Sequence, residues 1–493
     1  MKKKIINLIE AKNIKRFGKT VLCHGVFDLF HPGHLSHLKS AKKNGDILIV
    51  SITADKFVNK GPLRPYYNEL IRAEFLSNIS FVDYVIISDD YTAVKIINAI
   101  KPNFYVKGQE YKDTKKDISK NILAEALAVK KNNGKIIFTN EPTLSSGKLL
   151  NSHFKIFNNE QKKKIQEIKN SGGLEYINYI LEKIKELNVT VVGETIVDVY
   201  SFCKVTGISS KSPTISAKFI NNKKYMGGAF AVASDISSFV KKTNLITFGI
   251  KKNINTKFFN NLKIKNYNIK NINAPEKIRY INENNQKIFE LTKIHENFWS
   301  KKLYKKFAHD LNQDQNLNII TDFGHGFFDT KILNIMERKN VFFTVNTQTN
   351  SSNFGYNLFT KYKSSNYLCL DLLEARLGLK DNSSDENFLI KKLISKIKNS
   401  FSVTVGSKGA YYFNYKQKKL YKSPAFSKEI IDPTGAGDSY FAMSSLLQYV
   451  QCKSVFIPFL SNVYASQKLI QLGHKIHKNT KVDFLKSITA LLK

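Results

Sequence analysis

The chain has 493 residues, too many for one ordinary core, and its 42% hydrophobic and 12% aromatic content excludes a disordered protein. Two or three globular domains are expected. The formal net charge of +37 comes almost wholly from lysine, because only six of the 77 basic residues are arginine, and the lysines run from Lys2 to Lys493 without clustering among aromatics on one element. That pattern reads as a solvated lysine surface that favours anionic substrates, with no specific nucleic-acid partner.

The opening MKKKIINLIEAKNIKRFGK carries Asn7, Glu10 and Lys12 inside its apolar run, too soon for a signal peptide. No run reaches the length of a membrane span, so no membrane insertion is expected. Strand-like runs then alternate with helical ones: TVLCHGVFD, a helix from Gly33, DILIVSI, a helix from Tyr67, VDYVIIS, a helix from Thr92, NFYVKG, a helix from Asp117, and KIIFTN. Short apolar runs spaced by amphipathic helices predict a Rossmann-like parallel sheet over residues 1–153. In such sheets ligands bind beyond the carboxyl ends of the strands. The segments at those ends are Asp28 to His34, Lys60 to Arg64 and Lys107 to Tyr111, followed by LSSGKLL at 144–150.

The most informative stretch is GVFDLFHPGHLSHL, residues 25–38. His31 and His34 flank Pro32 and Gly33 at a strand-to-helix corner, where unpaired N–H groups and the helix dipole collect anions. Two imidazoles on that corner can face one phosphate group. A metal cluster of His24, His31, His34 and His37 is the competing reading, but no carboxylate or thiolate joins them at ligand spacing, so no metal site is expected. The four cysteines, Cys23, Cys203, Cys369 and Cys452, form no CxxC pair and point to a reducing, cytoplasmic compartment.

GVFDLFHPGHLSHL resembles the signature of nucleotidyltransferases with a His-x-Gly-His motif. The likeness continues through GDILIVSITAD, KGPLRPYYNELIRAEFLSNISFVDYVI and IKPNFYVKGQEY, an order that resembles the adenylyltransferase half of bifunctional ADP-heptose synthases more than glycerol-phosphate cytidylyltransferases, which share the core. The resemblance implies attack by a sugar phosphate oxygen on the α-phosphorus of ATP, or of CTP as the alternative, with loss of pyrophosphate. It implies that His31 and His34 hold the triphosphate and that Phe27 and Asp28 belong to the same nucleotide site. Lys60 and Arg72 would neutralise charge, and Lys107, Ser145 and Ser146 would complete the cradle. Arg72 also has a plain reading as a helix-surface arginine.

From 154 to 187 a lysine-rich helix, KIFNNEQKKKIQEIKN, stops at Ser171-Gly172-Gly173. LEYINYILEKIKELN follows, with Leu174, Ile177, Ile180, Leu181, Ile184 and Leu187 on one helical face. This segment is expected to be a helical linker whose apolar face docks on the next domain. Over 188–493, VTVVGETIVDVYSF reads as a buried strand and a turn carrying Asp198, and Gly227-Gly228 opens a helix. Further strand-like runs are NLITFG, NIITDFGHG, VFFTVN, NYLCLD and FSVTVGSKGAYYF. In IDPTGAGDSYFAMSSLL, Gly435, Ala436 and Gly437 leave backbone N–H groups unobstructed where a helix begins. That is an anion hole, with Asp438 beside it able to accept a proton from an attacking hydroxyl.

DPTGAGDSYFA resembles the signature of the ribokinase-like (PfkB) carbohydrate kinases. The likeness implies a C-terminal ribokinase-like α/β domain with a small β lid, ATP and Mg2+ as cofactors, and Asp438 as the base. It places Asp198, Gly227 and Gly228 on sugar hydroxyls, and Thr404, Gly406 and Gly409 on the adenine nucleotide. Glu374 would lie near metal and phosphates, and Lys277 and Arg279 on a substrate phosphate. Ala231, Asp371 and His325 depart from the residues common in those kinases. Together the halves imply an ADP-heptose-type enzyme with its domains in reversed order, acting on phosphorylated sugars for surface polysaccharide, with a separate phosphatase between its two steps. A homodimer is the expected assembly. The alternatives are a CDP-linked product and a catalytically degenerate nucleotide-binding regulator.

Overall fold

The computed structural model describes residues 4–12, 14, 18–58, 64–112, 121–140, 157–250, 261–284, 286–295, 299–311, 317–338, 341–427, 430, 432–470 and 480–492. The chain forms two compact units, Met1–Asn158 with Val482–Lys493, and Asn159–Lys481. The helices Asn159–Asn170 and Gly173–Lys185 of the 154–187 segment count with the second unit, the latter burying Ile177, Ile180, Leu181 and Ile184. The closing helix Thr480–Leu492 counts from Val482 with the first unit and buries Phe484, Ile488 and Leu491 at helical spacing.

In the first unit, β1 (Thr20–Gly25), β2 (Ile47–Thr53), β3 (Tyr84–Ser88), β4 (Phe104–Gly108) and β5 (Lys135–Thr139) make a wholly parallel sheet in the order β3-β2-β1-β4-β5. All seven residues of β2, ILIVSIT, are buried, as a parallel strand covered on both faces requires. Alternate residues of β1 enter opposite cores, Leu22 with Ile49 and Ile97, and Val21 and Cys23 with Val50 and Val106. The strand order reverses across β1, so a crevice opens at the carboxyl ends of β1 and β4.

The second unit contains β6 (Asn188–Gly193), β7 (Thr195–Ile208), β8 (Ile215–Gly228), β9 (Lys242–Phe248), β10 (Leu262–Tyr267), β11 (Glu276–Ile281), β12 (Lys287–Lys293), β13 (Leu317–Asp322), β14 (Phe343–Thr347), β15 (Tyr367–Asp371), β16 (Ser400–Thr404), β17 (Ala410–Asn414) and β18 (Lys419–Ser423). Nine of these form one sheet, β10-β9-β6-β13-β14-β15-β16-β17-β18, parallel as far as β16 and antiparallel thereafter. The remaining four form the lid, β12-β11-β7-β8. Asp198 lies within this lid and not in a turn. It is paired on one side with Tyr225 and on the other with Lys277, because β7 runs for 14 residues between two partners.

Glu194 stands between β6 and β7, fully buried. Its carboxylate accepts N–H from Phe323 at 3.1 Å, His325 at 3.1 Å and Phe327 at 3.2 Å, which pins the loop after β13. Burial and the charge of Asp322 push its pKa up to about 7, against the lowering effect of those N–H bonds. The native state therefore keeps this proton where the unfolded chain has already lost it. The stability it contributes is present at acid pH and declines as pH rises from about 4 to about 7. Glu194→Gln is expected to flatten the fall of the urea midpoint across that window; a slope equal to wild type would show that Glu194 does not titrate there.

Candidate active sites

The second unit holds a cavity of about 310 Å³ between the carboxyl ends of its parallel strands and the lid. Asp438 lies in the first turn of the helix Ala436–Tyr449, whose N-cap Gly435 takes a left-handed conformation (φ 85°). The turn before it is held by Asp432, which accepts from the Thr434 N–H and hydroxyl and, through its other oxygen, from Tyr200. Burial raises the Asp438 carboxyl to about 7, opposed by a hydrogen bond from Gln348. Gly437 lines the cavity with open space where a Cβ would stand.

On the lid side, Arg279 is ion-paired with Asp198 and, at 3.0 Å, with Glu290, and stacks over Tyr200. Lys277 lines the same cavity, and no hydrogen bond or ion pair joins its ammonium to another described residue. Burial pulls its pKa below the ordinary lysine value. At Gly227 a Cβ would come within 2.4 Å of Asp198 Oδ2, so glycine is what lets β8 pass this carboxylate. On the far wall, Glu374 and Asp371 form a capping box on the helix Leu372–Leu379, and Glu374 also accepts from Thr349 N–H at 3.3 Å. Burial lifts the Glu374 carboxyl well above its usual range. Among the described residues no group of three or more His, Cys, Asp or Glu gathers as a metal site.

In the first unit the chain leaves β1 through Phe27 and Leu29, both at positive φ, and enters the helix Pro32–Lys42 with His31 as N-cap. The His31 and His34 rings stack, centroids 3.8 Å apart, and Phe27 meets His34 edge-on at 5.4 Å. Asp28 is buried and accepts N–H from Tyr66 at 2.9 Å and Tyr67 at 3.2 Å. Lys107 is buried against Glu125 at 3.1 Å and lies over the Tyr105 and Tyr111 rings. His24 bonds Ser51 at 3.0 Å, and burial lowers its pKa to about 4.

The pfkB family carbohydrate kinase profile matches residues 186–446, more than half of the chain, and covers the lid, the nine-stranded sheet and Asp438. The chain belongs to the pfkB carbohydrate kinases. A cytidylyltransferase-like profile matches residues 22–165, so that domain precedes the pfkB domain. In the N-terminal part, the bifunctional protein HldE of Campylobacter fetus is 44% identical over 112 residues, 22% of this chain and 24% of the relative. HldE of Helicobacter pylori P12 is 46% identical over 95 residues, 19% and 21% of the two chains. The chain thus spans less than a quarter of the length of these curated relatives. Phosphofructokinase-2 from Escherichia coli, crystallised with potassium, has a TM-score of 0.50 at 10% identity, covering 62% of this chain and all of that one, a likeness of fold.

Of the residues expected in the pfkB site, the cavity brings together Asp198, Gly227, Gly228, Lys277, Arg279, Glu374, Thr404, Gly435, Gly437 and Asp438. Gly406, Gly409 and Ala436 are not among its lining. Gly409 closes the turn into β17 at φ 98°, where a Cβ would meet Ser423 O at 2.1 Å, and Ala436 N–H donates to Pro433 O at 3.3 Å. Reading the sequence missed Asn346, Gln348, Thr349 and Asn350, which also line the cavity. The signal was available, since VFFTVNTQTN ends a parallel strand in a run of amides and hydroxyls.

In the cytidylyltransferase-like unit, Lys60, Ser145 and Ser146 lie outside the described residues. Arg72 is not on a helix surface. It is 2% exposed and donates to the carbonyls of Val26, Thr53 and Tyr67 and to Asp55. A planar guanidinium reaches these acceptors together; an ammonium cannot. Arg72→Lys is expected to destabilise the first unit by about 2–4 kcal/mol, read as a lower urea midpoint. An unchanged midpoint would return Arg72 to a ligand role.

Proposed function

We propose that the chain is a bifunctional sugar kinase and nucleotidyltransferase that makes a nucleotide-activated sugar, of the ADP-heptose type. The observation that carries the kinase half is a buried carboxylate, Asp438, in the first turn of a helix inside a cavity that also holds Lys277 and Asp198. A sugar hydroxyl on this base gives up its proton to Asp438 as its oxygen attacks the γ-phosphorus of ATP, and ADP leaves. The helix N-terminus at Gly437 faces the transferring charge, and magnesium on the triphosphate would offset the charge on its oxygens. Lys277 is suited to a phosphate already on the sugar, and Arg279 holds Asp198 in place for the sugar hydroxyls.

In the first unit, a sugar 1-phosphate oxygen attacks the α-phosphorus of the nucleotide and pyrophosphate leaves, with no covalent enzyme intermediate. The stacking of His31 and His34 at the helix start supports a role in holding triphosphate oxygens. Adenine is favoured by the sequence resemblance; the cytidylyltransferase-like profile keeps CTP as a second reading. The heptose rests on the sequence resemblance alone. The free, buried cysteines support a cytoplasmic location. Among the described residues no helix is long and apolar enough to cross a membrane.

A panel of phosphorylated sugars with ATP or CTP, reading ADP and pyrophosphate separately, tests both halves. Nucleotide binding with no turnover of either kind would favour a regulator. Asp438→Asn is expected to lower ADP formation by about 10²–10⁴-fold and leave pyrophosphate release near wild type. His34→Ala is expected to do the converse, and loss of both activities in either folded variant would overturn independent sites. Ile208, Ile215, Phe219 and Phe289 are exposed on the lid, which supports a homodimer joined there. Phe219→Asp should then sediment as a monomer where wild type is a dimer; a monomeric wild type would remove this assembly.

A further inference from the structure

Asp438 is surrounded by other charged and titratable groups: Asp198 on β7, Asp235 on the helix Ala229–Ser237, Lys277 on β11, and Glu374 and Cys369 on the far wall. Two of these carboxylates are neutralised by their own partners, Asp198 by Arg279 and Asp235 by Lys468 at 2.8 Å. The group that touches Asp438 is an uncharged one. Gln348 Nε2 donates to Asp438 Oδ1 at 2.5 Å and to Asn346 Oδ1 at 3.0 Å. Asn346 Nδ2 in turn donates to the carbonyl of Cys369 at 2.9 Å. This chain of donors sets both amides: Asn346 must turn its oxygen to Gln348, and Gln348 must turn its nitrogen to Asp438. Gln348 N–H is itself tied to Asp322 O at 2.8 Å, so the side chain starts from a fixed backbone.

We propose that Gln348 is a positioning residue for the kinase base: by donating to one oxygen of Asp438 it leaves the other oxygen to take the proton of the sugar hydroxyl. Among the described residues no donor is recorded on Asp438 Oδ2. The donated hydrogen bond also stabilises the ionised carboxylate in a buried setting that otherwise favours the neutral acid. The hydrogen bond favours the ionised base, and the relay through Asn346 couples its orientation to the middle of β15 without adding a charge to the cavity. An amide suits this place. A lysine would form an ion pair that weakens the base, and a carboxylate would oppose its ionisation.

This inference rests on the kinase reading for its catalytic part, but the coupling itself is measurable without a substrate. Gln348→Leu removes the donor at similar size. Its effect on the urea midpoint should grow as pH rises through about 7 in the Asp438 background and stay level in the Asp438→Asn background. Equal effects in both backgrounds at every pH would overturn the proposal. For activity, the acidic limb of the kcat profile for ADP formation with the phosphorylated sugar that wild type accepts should move to higher pH in Gln348→Leu and further in Gln348→Glu. KM for ATP should change little, and activity in Gln348→Leu should partly recover at alkaline pH. A uniform loss at all pH values, or an unmoved limb, would also overturn it. If wild type forms no ADP from any phosphorylated sugar, the kinase reading fails, while the midpoint comparison still decides whether Gln348 and Asp438 are coupled.

Discussion

Glu194 sits where β6 of the kinase sheet gives way to the lid, and three separate pieces of backbone converge on it. Its carboxylate takes N–H groups from Phe323, His325 and Phe327, and its carbonyl takes the Ala229 N–H at the start of a helix. Gly228, at φ 61°, packs so closely on that carbonyl that a Cβ would lie 2.3 Å away. Lid, helix and loop are thus set relative to one another by one buried side chain and its own backbone. A group so placed cannot be lost cheaply, because each N–H it satisfies would otherwise be buried without a partner.

Around this junction the kinase cavity sorts its charges by pairing. Arg279 answers Asp198, and Lys468 answers Asp235, both pairs buried. Among the described residues Asp438 and Lys277 have no ionic partner, and in the proposed mechanism one takes a proton and the other meets a phosphate. Burial shifts both toward their neutral forms, so each gains most when a ligand supplies the missing partner. His325, fully buried near Lys277 with its pKa lowered to about 4, adds no charge to this balance.

The first unit uses the same device on a smaller scale. Asp28 and Arg72 look like ligand-binding charges in the sequence, yet both are turned onto backbone: Asp28 onto Tyr66 and Tyr67, Arg72 onto Val26, Thr53 and Tyr67. Together they clamp the segment that leads from β1 into the helix, where Phe27 and Leu29 take positive φ. The clamp presents His31 and His34 as a stacked pair. Lys107 is similarly engaged with Glu125, so it acts, like Arg72, on the protein's own structure.

Periodicity and two long motifs made the two α/β folds legible, since fully apolar runs such as ILIVSIT have no stable place except a parallel sheet covered on both faces. Local sequence also placed His31 at the helix start and Asp438 beside its glycines, because those features depend on neighbours a few residues away. The partners of charged side chains were not legible. Arg72 meets carbonyls up to 46 residues distant, Asp198 meets Arg279 across 81, and Gln348 reaches Asp438 across 90. Sequence alone determined which residues could carry a charge or a proton. Only the tertiary structure decided which of them are neutralised by another part of the chain and which are left for a substrate, because that choice depends on strands and helices brought together from far apart.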